Sequence, residues 1–180
     1  VLGEAEVIPV IAGCRLLVPL VAELGEEGLS PAGHRVDKSQ ELSIVSVAGP
    51  DGRTVLPAFT SVSAMNVWNP LARPVPVASI RVALAAVSEG TELVVLDPTS
   101  DTEFALRRPA LWSIAQSLPW TPCYLDPEVL QAFRDAAATE PAVLAVTLAP
   151  GDPMARLAGP ELLVRLALVE GLDRPALDAL

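Results

Sequence analysis

The sequence predicts an α/β protein of the α+β kind, a mixed β-sheet with helices packed against it, and three observations carry that prediction. Short aliphatic and β-branched runs are interspersed with stretches of helical period. Their order, β–ββ–α–α–ββ–α–α–β–β–α, is neither a regular βαβ alternation nor a repeat. A Gly49-Pro50-Asp51-Gly52 turn separates the β-branched runs Leu42–Val47 and Thr54–Phe59, which predicts a β-hairpin near residues 42–59. Finally, 51% of the 180 residues are hydrophobic and 19% charged, a globular composition with enough chain for one domain over residues 1–180. Only 4% are aromatic, so the expected core is aliphatic.

Residues 1–13 are apolar without a decisive period and fit either a packed segment or a tail. Cys14–Leu24 is nearly continuous in apolar residues and suits a strand buried on both faces. Gly25–Lys38, rich in Gly, Pro and charge, reads as a loop. The hairpin follows, and then Thr60-Ser61 as the N-cap of a short helix with Val62, Met65 and Trp68 on one face, stopped by Asn69-Pro70. Three prolines in residues 70–78 indicate an extended connection. Ser79 is a candidate cap for a helix with Ile80, Ala83, Leu84 and Val87 at i, i+3, i+4 and i+7, and Gly90 supplies its left-handed end. Glu92–Leu96 reads as a buried strand ending at Asp97-Pro98, paired with Glu103–Leu106 across the Thr99–Thr102 turn.

Pro109 suits the first position of a helix over Pro109–Gln116. The best-capped helix has Asp126 as N-cap, then Pro127 and Glu128, with Val129, Leu130, Phe133 and Ala137 as its apolar face. Val143–Leu148 and Leu162–Leu168 are strands, joined through the Pro150-Gly151-Asp152-Pro153 turn and a further stretch, Met154–Gly159. Arg174–Leu180 reads as a helix just beginning, so the chain is expected to be the ordered or truncated part of a longer protein.

Charge and composition exclude several functions. The formal charge is −10, from 22 acids and 12 bases, and the bases are scattered, with Arg107-Arg108 the densest run. Nucleic-acid binding requires clustered positive charge to displace counterions, so no nucleic-acid partner is expected. No stretch of 18 apolar residues is present, which leaves no membrane span. Two cysteines, Cys14 and Cys123, make no disulfide framework and fit reduced thiols in a cytoplasmic protein, although a pairing between them stays open.

The catalytic constellations fail one by one. His34 is the only histidine, in a polar loop far in sequence from either cysteine, so neither a metal site nor any cofactor is expected. No phosphate-binding GxxxxGK[ST] or GxGxxG run occurs. No GxSxG occurs either, and a triad would have to rely on His34. Asp97 stands at the carboxyl end of a strand, where α/β proteins often bind ligands, with Asp101 and Glu103 close behind. Turn chemistry explains the same residues, because Asp side chains accept from nearby backbone amides. Trp68, Trp112 and Trp120 stand out in a chain so poor in aromatics, and Trp120 lies in the proline-flanked Leu118-Pro119-Trp120-Thr121-Pro122. Either each tryptophan fills a core or rim position, or Trp120 with Arg107 and Arg108 lines a binding surface.

The segments Arg15-Leu16-Leu17-Val18-Pro19-Leu20, Leu56-Pro57-Ala58-Phe59-Thr60-Ser61 and Leu93-Val94-Val95-Leu96-Asp97-Pro98 resemble the SseB family, specifically its N-terminal domain in the actinobacterial branch. Gly151-Asp152-Pro153 and Gly159-Pro160-Glu161-Leu162 also fit. The resemblance implies a bacterial cytoplasmic protein with an α/β domain, and it supplies no catalytic residues to carry over. The function expected is a non-catalytic protein-binding or adaptor domain whose partner is another protein or a second copy. The alternatives are a sensor of an amino-acid-related small molecule, with a pocket near Asp97, Thr60 and Ser61, and, ranked last, an enzyme with a carboxylate site.

Overall fold

The computed structural model describes residues 3–21, 46–49, 51–91 and 93–178, and its chain contacts divide into two compact units. One unit comprises Val10–Leu118; the other comprises Val1–Pro9 with Pro119–Leu180. The fold class is α+β, as the sequence predicts. His34, Lys38 and the start of the first hairpin strand, residues 42–45, lie outside the described residues.

In the Val10–Leu118 unit, β1 (Arg15–Leu20) pairs antiparallel with β4 (Arg73–Ala78). Beside them, β2 (Val47–Ala48), β3 (Thr54–Ala58), β5 (Val94–Leu96) and β6 (Phe104–Leu106) form a sheet in that order, with β3 and β5 parallel. The hairpin forms as its turn requires, with Gly49 N–H donating to Arg53 O at 2.7 Å. Leu17 and Phe59 exchange both backbone hydrogen bonds at 2.8 Å and tie β1 to the end of β3.

That exchange also explains why residues 70–78 are a strand rather than the expected bare connection. Leu17 turns its amide toward Phe59, so the ladder to β4 runs through the alternate pairs Leu16–Val77 and Val18–Val75. Pro19, Pro74 and Pro76 therefore occupy positions whose N–H would point away from the ladder, where proline removes no bond. Pro57 is placed in the same way, because Leu56 and Ala58 make the bonds to the β5 side.

Helix α2 (Val62–Trp68) starts as expected, with Ser61 Oγ accepting from Ala64 N–H at 3.1 Å. Met65 is buried with Phe59 and Ala72, and Trp68 leans on Phe59 with ring centroids 5.3 Å apart. Helix α3 (Ser79–Ser88) departs from expectation in two respects. Its N-cap is Ala78, and the Ser79 hydroxyl instead donates to Ala12 O at 2.8 Å. Its buried stripe is Ser79, Val82, Ala83 and Ala86, one position round from the expected Ile80, Ala83, Leu84 and Val87, and Leu84 is 52% exposed. Small side chains face inward because α3 packs on α4 (Arg108–Gln116), whose buried face is Ala110, Leu111, Ser113 and Ile114. Gly90, at φ +67°, ends α3 in the left-handed conformation glycine adopts without strain. Helix α4 begins one residue before the Pro109 start expected and is capped at its far end by Ser117.

Residues 4–12, ambiguous in sequence, form α1 (Glu4–Ala12), with Ile8 and Ile11 buried. In the other unit, α5 (Pro127–Ala137) is capped as expected, Asp126 Oδ1 accepting from Glu128 N–H at 2.8 Å. It packs on β7 (Val143–Pro150), which pairs antiparallel with β8 (Leu162–Leu168) around a bulge at Leu144. The long β7–β8 connection is ordered by buried Asp152, which accepts from Arg156 and Leu157 N–H. Gly151 and Gly159 permit its close crossing, since a Cβ at either would fall within 2.6 Å of a backbone oxygen. Helix α6 (Arg174–Asp178) closes the described chain.

Candidate functional site

Parallel pairing of Ala58 with Leu96 brings the residues just beyond β3 and β5 side by side. There Thr60 donates to Asp97 twice, from its N–H to Oδ1 at 2.8 Å and from its hydroxyl to Oδ2 at 2.5 Å. Asp97 is only 3% exposed, and its own N–H donates to Ala58 O. Its φ of 45° is one that Asp tolerates better than most residues. Ser100 N–H closes the turn onto Asp97 O, and Glu103 Oε2 accepts from Thr99 N–H at 2.7 Å. A carboxylate used for acid–base chemistry must present an oxygen to a substrate proton. Both oxygens of Asp97 instead hold Thr60, so the pair acts as a latch across the carboxyl ends of two strands.

The sequence-selected residues separate into groups. Thr60, Ser61 and Asp97 are together at that end of the sheet. Arg107 and Arg108 follow Leu106, which pairs with Val94, and so stand at the opposite end of the β5–β6 ladder. Arg107 is buried and Arg108 exposed. Trp120, half-buried, belongs to the other unit, and Trp112 on α4 is exposed.

The second unit contains a cluster that sequence alone did not indicate. Burial, aided by the charges of Glu161 and Glu4, pushes the Cys123 thiol above its usual range. Burial and then Glu4, Cys123 and Glu6 do the same to the Tyr124 phenol. A thiol needs positive surroundings to become a reactive thiolate, and this one has negative ones. Cys14 and Cys123 are both free. Among the described residues, no group of three or more His, Cys, Asp or Glu could hold a metal ion, and no helix is long and apolar enough to cross a membrane.

Uncovered apolar surface is the most prominent feature of this unit. Helix α5 has no buried residue although it packs on β7, and Phe133 on its apolar face is 36% exposed. Leu144, the bulge residue, is 67% exposed and Leu166 on β8 48%, with Leu163 and Leu177 also open. A groove of about 380 Å³ runs between the end of α5 and β7, lined by Arg134, Ala137, Ala138, Leu144 and Val146. The helical period was legible in sequence; the incomplete covering of its apolar face was not, because amphipathicity reports that a face is apolar and not what lies against it.

A family model described as the SseB protein N-terminal domain matches residues 3–113 of the chain. That span takes in almost all of the Val10–Leu118 unit and ends before α5. No curated protein and no solved structure matches the chain.

Proposed function

The chain belongs to the SseB family through its N-terminal domain, and on that premise we propose that it is a protein-binding or adaptor domain without catalysis of its own. The observation that carries this reading is the apolar surface of Phe133, Leu144 and Leu166 on α5, β7 and β8. Large apolar side chains left exposed on a helix and a strand pair of one unit are the kind of surface that partners cover. Trp120, half-buried in the same unit, is a further contact residue of this reading, supported by the enrichment of Trp at hot spots. The partner is another protein or a second copy of the chain. A cytoplasmic setting and a bacterial, actinobacterial-type source belong to the same proposal. Their support is the family resemblance and, for the compartment, two free thiols.

An amino-acid-related sensor acting at Asp97, Thr60 and Ser61 has weaker support, because the Asp97 carboxylate is already committed to Thr60. The test is affinity capture with the wild-type chain and with Leu166→Glu, an exposed substitution that leaves the fold intact by circular dichroism. A partner held by the wild type is lost from the variant. Identical capture by both chains would remove the basis for this surface.

A further inference from the structure

Among the described residues, β7 and β8 form a sheet of two strands, to which no third strand pairs. At the ends of their ladder Gly151 N–H donates to Glu161 O at 3.3 Å and Val169 N–H to Ala142 O at 3.0 Å. With Leu148 opposite Val164 and Val146 opposite Leu166, this phase turns the backbone groups of Leu163, Arg165 and Ala167 toward β7. Those of Leu162, Val164 and Leu166 point away from it. The outer edge of β7 is guarded twice, by the bulge at Leu144 and by Pro150, which has no N–H where one would point outward. Strand β8 has neither guard: Leu162–Leu168 contains no proline, no glycine and one charge, Arg165. Its outward amides and carbonyls have no partner among the described residues.

We propose that β8 pairs antiparallel with β8 of a second copy about a two-fold axis at Val164, making one sheet in the order β7–β8–β8–β7. This rests on the protein-binding reading above and names the partner. Isolated two-stranded sheets are marginally stable, and joining two of them by their open edges satisfies the outward backbone groups of both. On the face that carries buried Val146, the new cross-strand pairs are Val164 with Val164 and Leu162 with Leu166, all aliphatic and each at least partly exposed in the single chain. The axis runs perpendicular to the sheet, so each face of one copy continues as the same face of the other. Charge selects this register. Centring on Arg165 would set two guanidiniums directly opposite each other. Centring on Val164 puts Arg165 opposite Leu163 and within diagonal reach of Glu161 of the other copy.

The test is sedimentation equilibrium of the purified full chain in about 0.3 M NaCl, which screens the repulsion between two chains of charge −10. A monomer–dimer equilibrium is expected, with a dissociation constant on the order of 10 µM because an edge-pairing interface is small. Val164→Pro removes an outward N–H, at a position like those of Pro19, Pro74 and Pro76 in this chain. It should weaken the dimer about tenfold or more while keeping the circular dichroism spectrum. Should that variant misfold, the register is read by oxidation in a Cys14→Ser, Cys123→Ala chain. Val164→Cys, with its two Cα atoms about 5.5 Å apart across the axis, should give a disulfide-linked dimer, and Leu168→Cys should not. A monomer up to about 0.5 mM, a dimer unchanged by a folded Val164→Pro, or equal cross-linking from positions 164 and 168 would each overturn the proposal. A monomer that still captures a foreign protein would end this inference and leave the broader reading standing, so the two failures are distinguishable.

Discussion

A carboxylate removed from water must have its oxygens satisfied, and Asp97 meets that requirement through a residue 37 positions away in sequence. Its two bonds to Thr60 fix the point at which the chain leaves β3 for α2, immediately before the Ser61 cap. Asp97→Ala leaves the Thr60 N–H and hydroxyl without acceptors, and we expect a loss of about 2–3 kcal/mol in chemical denaturation. The sequence shows an Asp-Pro turn former here, which describes the local backbone. The long-range bond to Thr60 was not legible, because it depends on parallel pairing of β3 with β5, a tertiary choice. Cys123 and Tyr124 make a second prediction. Their ordinary values are 9.0 and 10.0, and both are raised in the folded chain. At neutral pH each is protonated in both states and contributes nothing. Above about pH 9 the unfolded chain loses these protons first, so stability falls as pH rises. Melting temperature measured from about pH 8 to pH 10.5 should decline, and Cys123→Ala should make the decline shallower.

At the scale of elements, helical period proved easier to read than helical orientation. The sequence places a helix after residue 78 correctly, yet favours the stripe containing Leu84, whose members fall at i, i+3, i+4 and i+7. The observed stripe uses Ala83 and Ala86 because α3 lies close against α4. Ala86→Leu should therefore overpack the interface and cost about 1–3 kcal/mol, whereas Leu84→Ser should stay within about 0.5 kcal/mol. Equal effects in urea denaturation would show that the helix is rotated from this assignment. Strand β4 illustrates the opposite failure. Pro74 and Pro76 argue against a strand on composition, and only the hydrogen-bonding phase set by Leu17 and Phe59 makes them harmless. The hairpin and the Asp126 cap were legible because each is encoded within a few adjacent residues.

For the molecule as a whole, charge is shared unequally. The unit of residues 1–9 and 119–180 has eleven acids against four bases, so it accounts for most of the net −10. Such charge suppresses indiscriminate association, which makes the exposed leucines and Phe133 of that unit a candidate for specific contact rather than general stickiness. The family match ends at residue 113, before this surface begins. The family and the candidate binding face are thus read from different parts of the chain. The most direct measurement is photo-crosslinking in the cells that make the protein, with a benzophenone amino acid at position 166 and, as a control, at exposed Gln116. The account predicts a discrete protein adduct from position 166, absent from position 116 and abolished by a second substitution, Leu144→Asp. No adduct from position 166, or the same adducts from both positions, would contradict it.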